Sequence, residues 1–424
     1  MSPAVLCLTI LAVIAFFFIT ELLPLAVTSM AGAIAVGLAG LIPLKTVFSG
    51  LSNSTVVLFA GMFVVGAAMF HTGVAQKIGE AIIKMVGSGE SSLMIGGMGA
   101  GALMSAFLSN TSTAASLLPV ILGICTAAKT SPKRQLMPMA FGCGLGGVAT
   151  LVGTPPNILA SAALEQAGMT GFGFFEFAWI GVPLIVGGIV YMVLIGKRFI
   201  PQGEIAGELD DESAAEAKAS SNDTTKQIIV LVVFGIAVVM MAVFSKKIPM
   251  QVTAISAALI LVITKCLTEK QAYAGIDWVT IFLFAGMMPV ATAMDKSGAG
   301  KLIADIAVGA MGGSPSPLVV TGVLFILSCG LTQFMSNTAS AALLCPIGIQ
   351  IAQQIGADPH AVLMAIAVAA SCAFGTPVGT PPNTLVLGPG GYHFKDYIVA
   401  GVPLIVVSFV ISLIVIPIVW PFFP

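Results

Sequence analysis

Charge is scarce in this sequence: only 8% of its 424 residues are Asp, Glu, Lys or Arg, where soluble domains carry about a quarter. Together with 58% hydrophobic residues and a mean hydropathy of +1.06, that scarcity excludes a water-soluble protein. The net charge is -1 and no Lys/Arg-rich block occurs, so nucleic acid is not an expected partner and neither is a polyanionic surface. Seven cysteines stand singly, with no CxxC and no Cys/His cluster. They read as small apolar packing residues rather than a redox or zinc site. No Lys or Arg precedes the first apolar run, Pro3 to Thr20, and Thr20-Glu21-Leu22-Leu23-Pro24 is a poor cleavage site. The run is therefore expected to be a membrane helix, not a signal peptide.

What is present is a repeat. Thr55-Val-Val-Leu-Phe-Ala-Gly-Met-Phe matches Thr280-Ile-Phe-Leu-Phe-Ala-Gly-Met-Met at an offset of 225 residues. Ser109-Asn110-Thr111 matches Ser336-Asn337-Thr338 at 227, and Gly153-Thr154-Pro155-Pro156-Asn157 matches Gly379-Thr380-Pro381-Pro382-Asn383 at 226. Gly181-Val182-Pro183-Leu184 matches Gly401-Val402-Pro403-Leu404 at 220. Four matches in one order at a nearly constant offset identify two copies of one unit.

Apolar runs near the roughly 20 residues that cross a bilayer divide each copy into five crossings. In the first copy these are about 4–20, 25–42, 55–72, 135–165 and 177–196; in the second, about 227–244, 250–265, 278–294, 361–389 and 397–420. A longer apolar stretch precedes the fourth crossing of each copy, about 92–127 and 316–350, interrupted by Ser-Asn-Thr. It is expected to be a re-entrant hairpin, since non-helical backbone at membrane depth needs protein or a water-filled cavity around it. The expected fold is an all-α polytopic membrane protein of two units, 1–200 and 227–424, joined by an acidic cytoplasmic linker at 201–226. An odd number of crossings per copy inserts the second copy from the opposite side, giving inverted repeats.

Charge orients this arrangement. Lys77, Lys84, Lys129, Lys133, Arg134, Lys197, Arg198, Lys218, Lys226, Lys265, Lys270 and Lys395 fall on one side; Lys45, Lys246, Lys247, Lys296 and Lys301 fall on the other. The positive-inside rule makes the first side cytoplasmic and puts both termini outside.

Gly-Thr-Pro-Pro-Asn inside an apolar segment breaks a helix, because proline lacks an N–H, clashes with the preceding turn and displaces the residue before it from the α region. Two half-helices with an open loop result. Free carbonyls ending the first half can hold a cation, and free N–H groups starting the second can hold an anion. Ser-Asn-Thr at a hairpin tip adds two hydroxyls and an amide, oxygen donors suited to a hard cation. Ser105 and Thr332 stand four residues before Ser109 and Ser336, on the same helix face. Such groups singly are more often packing kinks and interhelical glue; their duplication favours a transport site. No Lys or Arg falls in the middle of a crossing, so co-bound cations and helix N-termini must neutralise an anionic substrate. No Asp, Glu or His falls there either: Glu21, His71, Asp295, His360 and His393 lie near segment ends. Sodium coupling is thereby favoured over proton coupling.

Paired Ser-Asn-Thr hairpins and paired Pro-Pro-Asn loops, spread over nearly the whole chain, resemble the divalent anion:sodium symporter family of the ion-transporter superfamily. The resemblance implies a homodimer whose scaffold domains hold transport domains that move across the inner (plasma) membrane in an elevator-like step. It implies a first sodium site at Ser105, Ser109, Asn110 and Gly153, and a second at Thr332, Ser336, Asn337 and Gly379. The anion would lie between them against Asn110, Thr111, Thr154, Asn337, Thr338, Thr380 and Pro381. The tail from Leu387 to Phe394 is similar to a branch that includes both sulfate and carboxylate carriers.

The expectation is a sodium-coupled symporter of a small divalent anion, a C4-dicarboxylate such as succinate or malate first and sulfate second. An anion exchanger or arsenite/proton carrier of the same superfamily, and an ion channel, are the rivals. An intramembrane hydrolase would need a nucleophile beside a buried base, and no such pair is visible.

Overall fold

The computed structural model describes residues 2–87, 89–128, 130–201 and 223–423; the linker expected at 201–226 falls mostly outside them. The described chain is all-helical, with 19 α-helices and no strand. In the first copy these are α1 (Pro3–Thr20), α2 (Leu25–Leu38), α3 (Ser54–His71), α4 (Val74–Val86), α5 (Glu90–Ser105), α6 (Asn110–Ala128), α7 (Lys133–Gly147), α8 (Pro155–Gln166) and α9 (Ala178–Leu194). The second copy follows in the same order. It contains α10 (Thr224–Val243), α11 (Met250–Ile263), a short α12 (Glu269–Ala274), α13 (Trp278–Ser297) and α14 (Ala299–Ala310). It ends with α15 (Pro317–Thr332), α16 (Asn337–Gln354), α17 (Pro359–Ala370), α18 (Pro381–Gly390) and α19 (Phe394–Val419).

Each predicted break is present. Helix α7 stops at Gly147 and α8 starts at Pro155; α17 stops at Ala370 and α18 starts at Pro381. Each predicted hairpin is two helices meeting at Ser-Asn-Thr. The first arms, α5 and α15, have 16 residues each, a rise of about 24 Å, short of the roughly 30 Å hydrocarbon thickness. Ser109 and Ser336 act as caps of the second arms: the N–H of Ser112 donates to Ser109 Oγ at 3.1 Å, and that of Ala339 to Ser336 Oγ at 3.1 Å. A serine there ends one arm and starts the next because its hydroxyl satisfies a helix donor that has no backbone partner.

Three helices went unforeseen: the short α12 before α13, and α4 and α14 in the segments between the third crossing and the hairpin of each copy. The last two are amphipathic. The polar side of α4 carries an intrahelical Lys84–Glu80 pair at 3.6 Å and reaches α10, where Lys77 Nζ donates to Gln227 Oε1 at 2.6 Å. On α16, the Gln350 amide donates to Asp295 Oδ1 at the end of α13 at 3.3 Å, and Gln354 donates to Asp305 on α14.

Helices α7 and α17 are buried around almost their whole circumference and form the centre of the bundle. Around them, α1, α9, α10 and α19 expose Val, Ile and Phe on their outer faces, among them Phe16, Val190, Ile236 and Ile414, the surface that lipid covers. Among the described residues, five helical segments are long and apolar enough to cross a membrane, namely Pro3–Thr20, Leu44–His71, Thr224–Val243, Trp278–Ser297 and Phe394–Val419.

Helices α5 and α7 approach through small residues. A Cβ on Gly142 would lie 2.6 Å from Met98 O, and one on Gly146 would lie 2.2 Å from Ala102 O. Only glycine lets two backbones meet so closely, as is common between membrane helices. Phe59 and Phe284, equivalent positions of the two copies, meet in a tilted contact with ring centroids 5.4 Å apart where α3 meets α13.

Candidate functional site

The hairpin tips and the broken-helix loops pack together in the same way in both copies. At the first tip Ser105 Oγ donates to Asn110 Oδ1 at 2.5 Å; at the second, Thr332 Oγ1 donates to Asn337 Oδ1 at 2.8 Å. The first loop is fastened to its tip by Thr150, whose hydroxyl donates to Ala106 O, and the second by Thr376, which donates to Gln333 O at 2.8 Å. Gly153 and Gly379 complete each junction. A Cβ on Gly153 would sit 3.0 Å from Ala106 O, and one on Gly379 would sit 3.1 Å from Thr332 O. The helix face expected to join Ser105 to Ser109, and Thr332 to Ser336, does not form: α5 ends at Ser105 and α15 at Thr332, and each hydroxyl meets the asparagine that starts the next helix instead. Ser105 and Thr332 themselves are fully buried behind the tips.

Both tips and both loops open onto one cavity of about 1060 Å³. Its wall includes Ser109, Asn110 and Thr111 from the first tip, and Ser336, Asn337 and Thr338 from the second. Gly153 and Thr154 come from the first loop; Gly379, Thr380 and Pro381 come from the second. Every residue expected at the anion site thus faces this space, as do the expected sodium residues apart from Ser105 and Thr332.

Thr154 and Thr380 are extended, at φ -143° and -152°, and neither side chain caps the half-helix that follows. Both residues line the cavity. The expected ring of backbone N–H groups at these helix starts does not form. Prolines occupy the first two helical positions and have no N–H, and the next donors are taken, Asn157 N–H by Thr154 O at 3.2 Å and Asn383 N–H by Thr380 O at 3.0 Å. The polar side chains at the cavity wall therefore include the hydroxyls of Thr154 and Thr380 from the loops and, from the tips, the serine and threonine hydroxyls and the amides of Asn110 and Asn337.

The opposite wall was not legible as a site. Phe59, Met62, Phe63 and Phe70 of α3 and Leu283 of α13 line it, and in an apolar helix such residues look like any other core or lipid contact. The one available signal was that α3 and α13 carry the repeated Phe-Ala-Gly-Met stretch. Among the described residues the charged and titratable groups on the cavity wall are Glu21, His71 and Asp277, and no Lys or Arg lines it. Among the described residues there is also no His/Cys/Asp/Glu cluster suited to a transition metal. The surface combines a strip of neutral oxygen donors with an apolar wall.

Comparison with known proteins places the chain. A family model described as citrate transporter (CitMHS) matches residues 15–356 and 246–422. The uncharacterized transporter YfbS of Escherichia coli is 26% identical over 603 aligned residues, covering 98% of this chain and 99% of that protein. The sodium-dependent dicarboxylate transporter SdcS of Staphylococcus saprophyticus is 26% identical, covering 98% of this chain and 86% of that protein. Among solved structures, the YdaH transporter of Alcanivorax borkumensis superposes with a TM-score of 0.66 at 12% identity, covering 99% of this chain and 98% of the other, so the fold is shared. A match over so much of the length, on a chain of apolar helices around a central cavity, shows that this multi-pass plasma-membrane protein is a transporter and belongs to the citrate transporter family.

Proposed function

We propose that the chain is a sodium-coupled symporter of a small divalent anion, with a C4-dicarboxylate such as succinate or malate as its substrate. The observation that carries this reading is the convergence of two Ser-Asn-Thr tips and two Gly-Thr-Pro-Pro-Asn loops on one cavity that, among the described residues, no Lys or Arg lines. The name of the SdcS relatives, sodium-dependent dicarboxylate transporters, supports the same cargo.

Sodium ions sit behind the tips, the first with Ser105, Ser109, Asn110 and Gly153, the second with Thr332, Ser336, Asn337 and Gly379. Their charge creates the positive field that the wall lacks. The dicarboxylate then binds between them against Asn110, Thr111, Thr154, Asn337, Thr338, Thr380 and Pro381. Cation binding precedes anion binding because the pocket is neutral until sodium fills it. The two copies are inserted in opposite senses, and the block bearing tips and loops moves against α3 and α13 in an elevator-type step, within a homodimer. In this topology Glu21, His71 and Asp277 lie on the cytoplasmic side, so the cavity opens inward. The apolar wall supplied by α3 and α13 is the surface along which the moving block slides, and having few polar groups to desolvate it offers little resistance.

The test is uptake of labelled succinate into proteoliposomes under an inward sodium gradient, with potassium replacing sodium as control and unlabelled sulfate as competitor. Sodium-driven uptake that sulfate leaves unchanged is expected. Sodium-driven flux of labelled sulfate without succinate uptake would move the cargo to sulfate, and flux indifferent to sodium would remove the coupling. Asn110→Ala and Asn337→Ala are each expected to abolish coupled uptake, because each removes an amide shared by ion and anion; near-normal uptake in both would defeat the site assignment.

A further inference from the structure

The asparagine that ends each Gly-Thr-Pro-Pro-Asn motif belongs to neither ligand set above, yet Asn157 and Asn383 are both 0% exposed. Asn157 Nδ2 donates to Thr150 O at 2.7 Å and Gly147 O at 3.1 Å, with Val148 O at 3.4 Å. Asn383 Nδ2 donates to Ala373 O at 2.8 Å and Thr376 O at 3.0 Å. Positions 147 and 373, 150 and 376, and 157 and 383 are each 226 residues apart, so one pair of hydrogen bonds is made twice.

The reason lies in the break. A half-helix ends with carbonyls that have no partner within it, and α7 and α17 end inside the bundle, where water is not at hand. An asparagine amide has two N–H donors. Placed in the first turn of the second half-helix, it reaches back to the carbonyls that follow the first and closes the gap between the two. The carbonyl that Asn157 holds at Gly147 is also the atom against which Gly153 rests, since a Cβ on Gly153 would lie 2.5 Å from it. Holding that carbonyl therefore sets where Gly153 meets the hairpin tip.

The other end of each amide shows which half of the group matters. Oδ1 of Asn157 and Oδ1 of Asn383 are buried with no hydrogen-bond partner, and an orphaned buried acceptor is costly. Both copies keep it, so what each position supplies is the pair of donors.

We infer that Asn157 and Asn383 are positioning residues. Each fixes the distance between a broken-helix loop and its hairpin tip, and thereby the geometry in which the cation is held, without itself touching cation or anion. This rests on the sodium-symport reading above.

The test uses Asn157→Asp and Asn383→Asp in proteoliposomes. Aspartate keeps the shape but replaces the donors with an oxygen that repels the two carbonyls. The sodium concentration for half-maximal uptake is expected to rise about tenfold in each variant, a difference of about 1.4 kcal/mol, while the KM for succinate at saturating sodium changes less than about twofold. A lower maximal rate with unchanged sodium half-saturation would reduce both residues to packing. A lower sodium requirement would make the side-chain oxygen a cation ligand and also overturn the inference. Sodium-independent uptake by the unsubstituted protein would remove the underlying reading, and with it this one, before any variant is compared. Should the aspartate variants not fold, Asn157→Ser and Asn383→Ser keep one donor each. Their sodium-induced rise in Tm in detergent is expected to be smaller than that of the unsubstituted protein, and an equal rise would overturn the proposal.

Discussion

The two hairpins do the same job with different chemistry. In the first copy, arm α5 meets α7 near the tip by close contact of small residues, Gly101, Gly142 and Gly146 against the backbones of Met139, Met98 and Ala102, and only at its far end by hydrogen bonds, from Arg134 and Gln135 to Glu90. In the second copy, arm α15 is joined to α17 by side-chain hydrogen bonds. Ser328 Oγ donates to Ile366 O at 2.9 Å, and the Thr332 hydroxyl also lies 2.7 Å from Ala370 O. Gln333 adds a three-way link, its Nε2 donating to Cys329 O at 2.8 Å and Cys372 O at 3.0 Å while its Oε1 accepts from Gly375 N–H at 2.9 Å. The equivalents of Ser328 and Gln333 in the first copy are Gly101 and Ala106. Steric contact fixes a distance, whereas directional bonds fix an orientation as well. Both tips share the bonds of Ser105 or Thr332 and of Thr150 or Thr376, and the second adds the directional links of Ser328 and Gln333, so it is the more firmly pre-organised of the two.

That contrast is most sharply broken by exchanging residues between copies. Gly146→Cys gives the first copy the residue of position 372, and its Cβ meets a backbone oxygen that has no room to move. A loss of about 3 kcal/mol, near the upper end for overpacking, is expected as a lower Tm in detergent. Cys372→Gly, the reverse change, removes only a small side chain and is expected to cost less. If the two exchanges cost the same, the two kinds of packing are not distinct.

Next in size is Gln333→Ala, which imposes the first copy's residue on the second tip. It strips partners from Cys372 O and Gly375 N–H, and a cost of about 2 kcal/mol is expected from buried groups left unpaired. With it, the sodium dependence of uptake should become shallower, as the second tip comes to need more ordering by its ion. An unchanged sodium titration in a folded Gln333→Ala protein would show that pre-organisation has no bearing on binding.

Ser105→Ala and Thr332→Ala compare the two sites directly. Both are expected to weaken sodium dependence, and Thr332→Ala the more, because its hydroxyl serves Asn337 and also lies against Ala370 O. Equal sodium titrations for both variants would make the tips equivalent after all. The smallest effect is expected from Ser328→Gly, which loses one hydrogen bond worth about 1 kcal/mol, visible as a small fall in Tm with uptake preserved.

Much of this was readable from the residues. The apolar runs placed the crossings to within a few residues, since a helix in a bilayer must be apolar along its length. Paired prolines placed the breaks, since no helix continues through Pro155-Pro156 or Pro381-Pro382. Other features were hidden. Helix α4 mixes Gln76, Lys77, Glu80 and Lys84 with apolar residues, and a short amphipathic helix lacks the continuous apolar run that reveals a crossing. The Phe59 to Phe70 wall was hidden because its residues are the same whether they face lipid, core or cavity. The donor set at the half-helix starts was misjudged because the prolines that break the helix also remove the N–H groups expected to bind there.

By itself, the sequence determined that the protein lives in a membrane, that it consists of two copies of one unit, and that each copy carries a hairpin and a broken helix with oxygen-bearing residues at the interruptions. These follow from local chemistry: hydropathy, proline geometry and repetition. Only the tertiary structure decided that all four motifs open onto a single cavity with an apolar far wall, and that Asn157 and Asn383 tie the half-helices together. It also decided that the second arm carries side-chain hydrogen bonds to its neighbour where the first has close glycine contacts. Those outcomes depend on which surfaces meet across more than two hundred residues of chain, and helices that look alike in composition can meet in many ways until packing selects one.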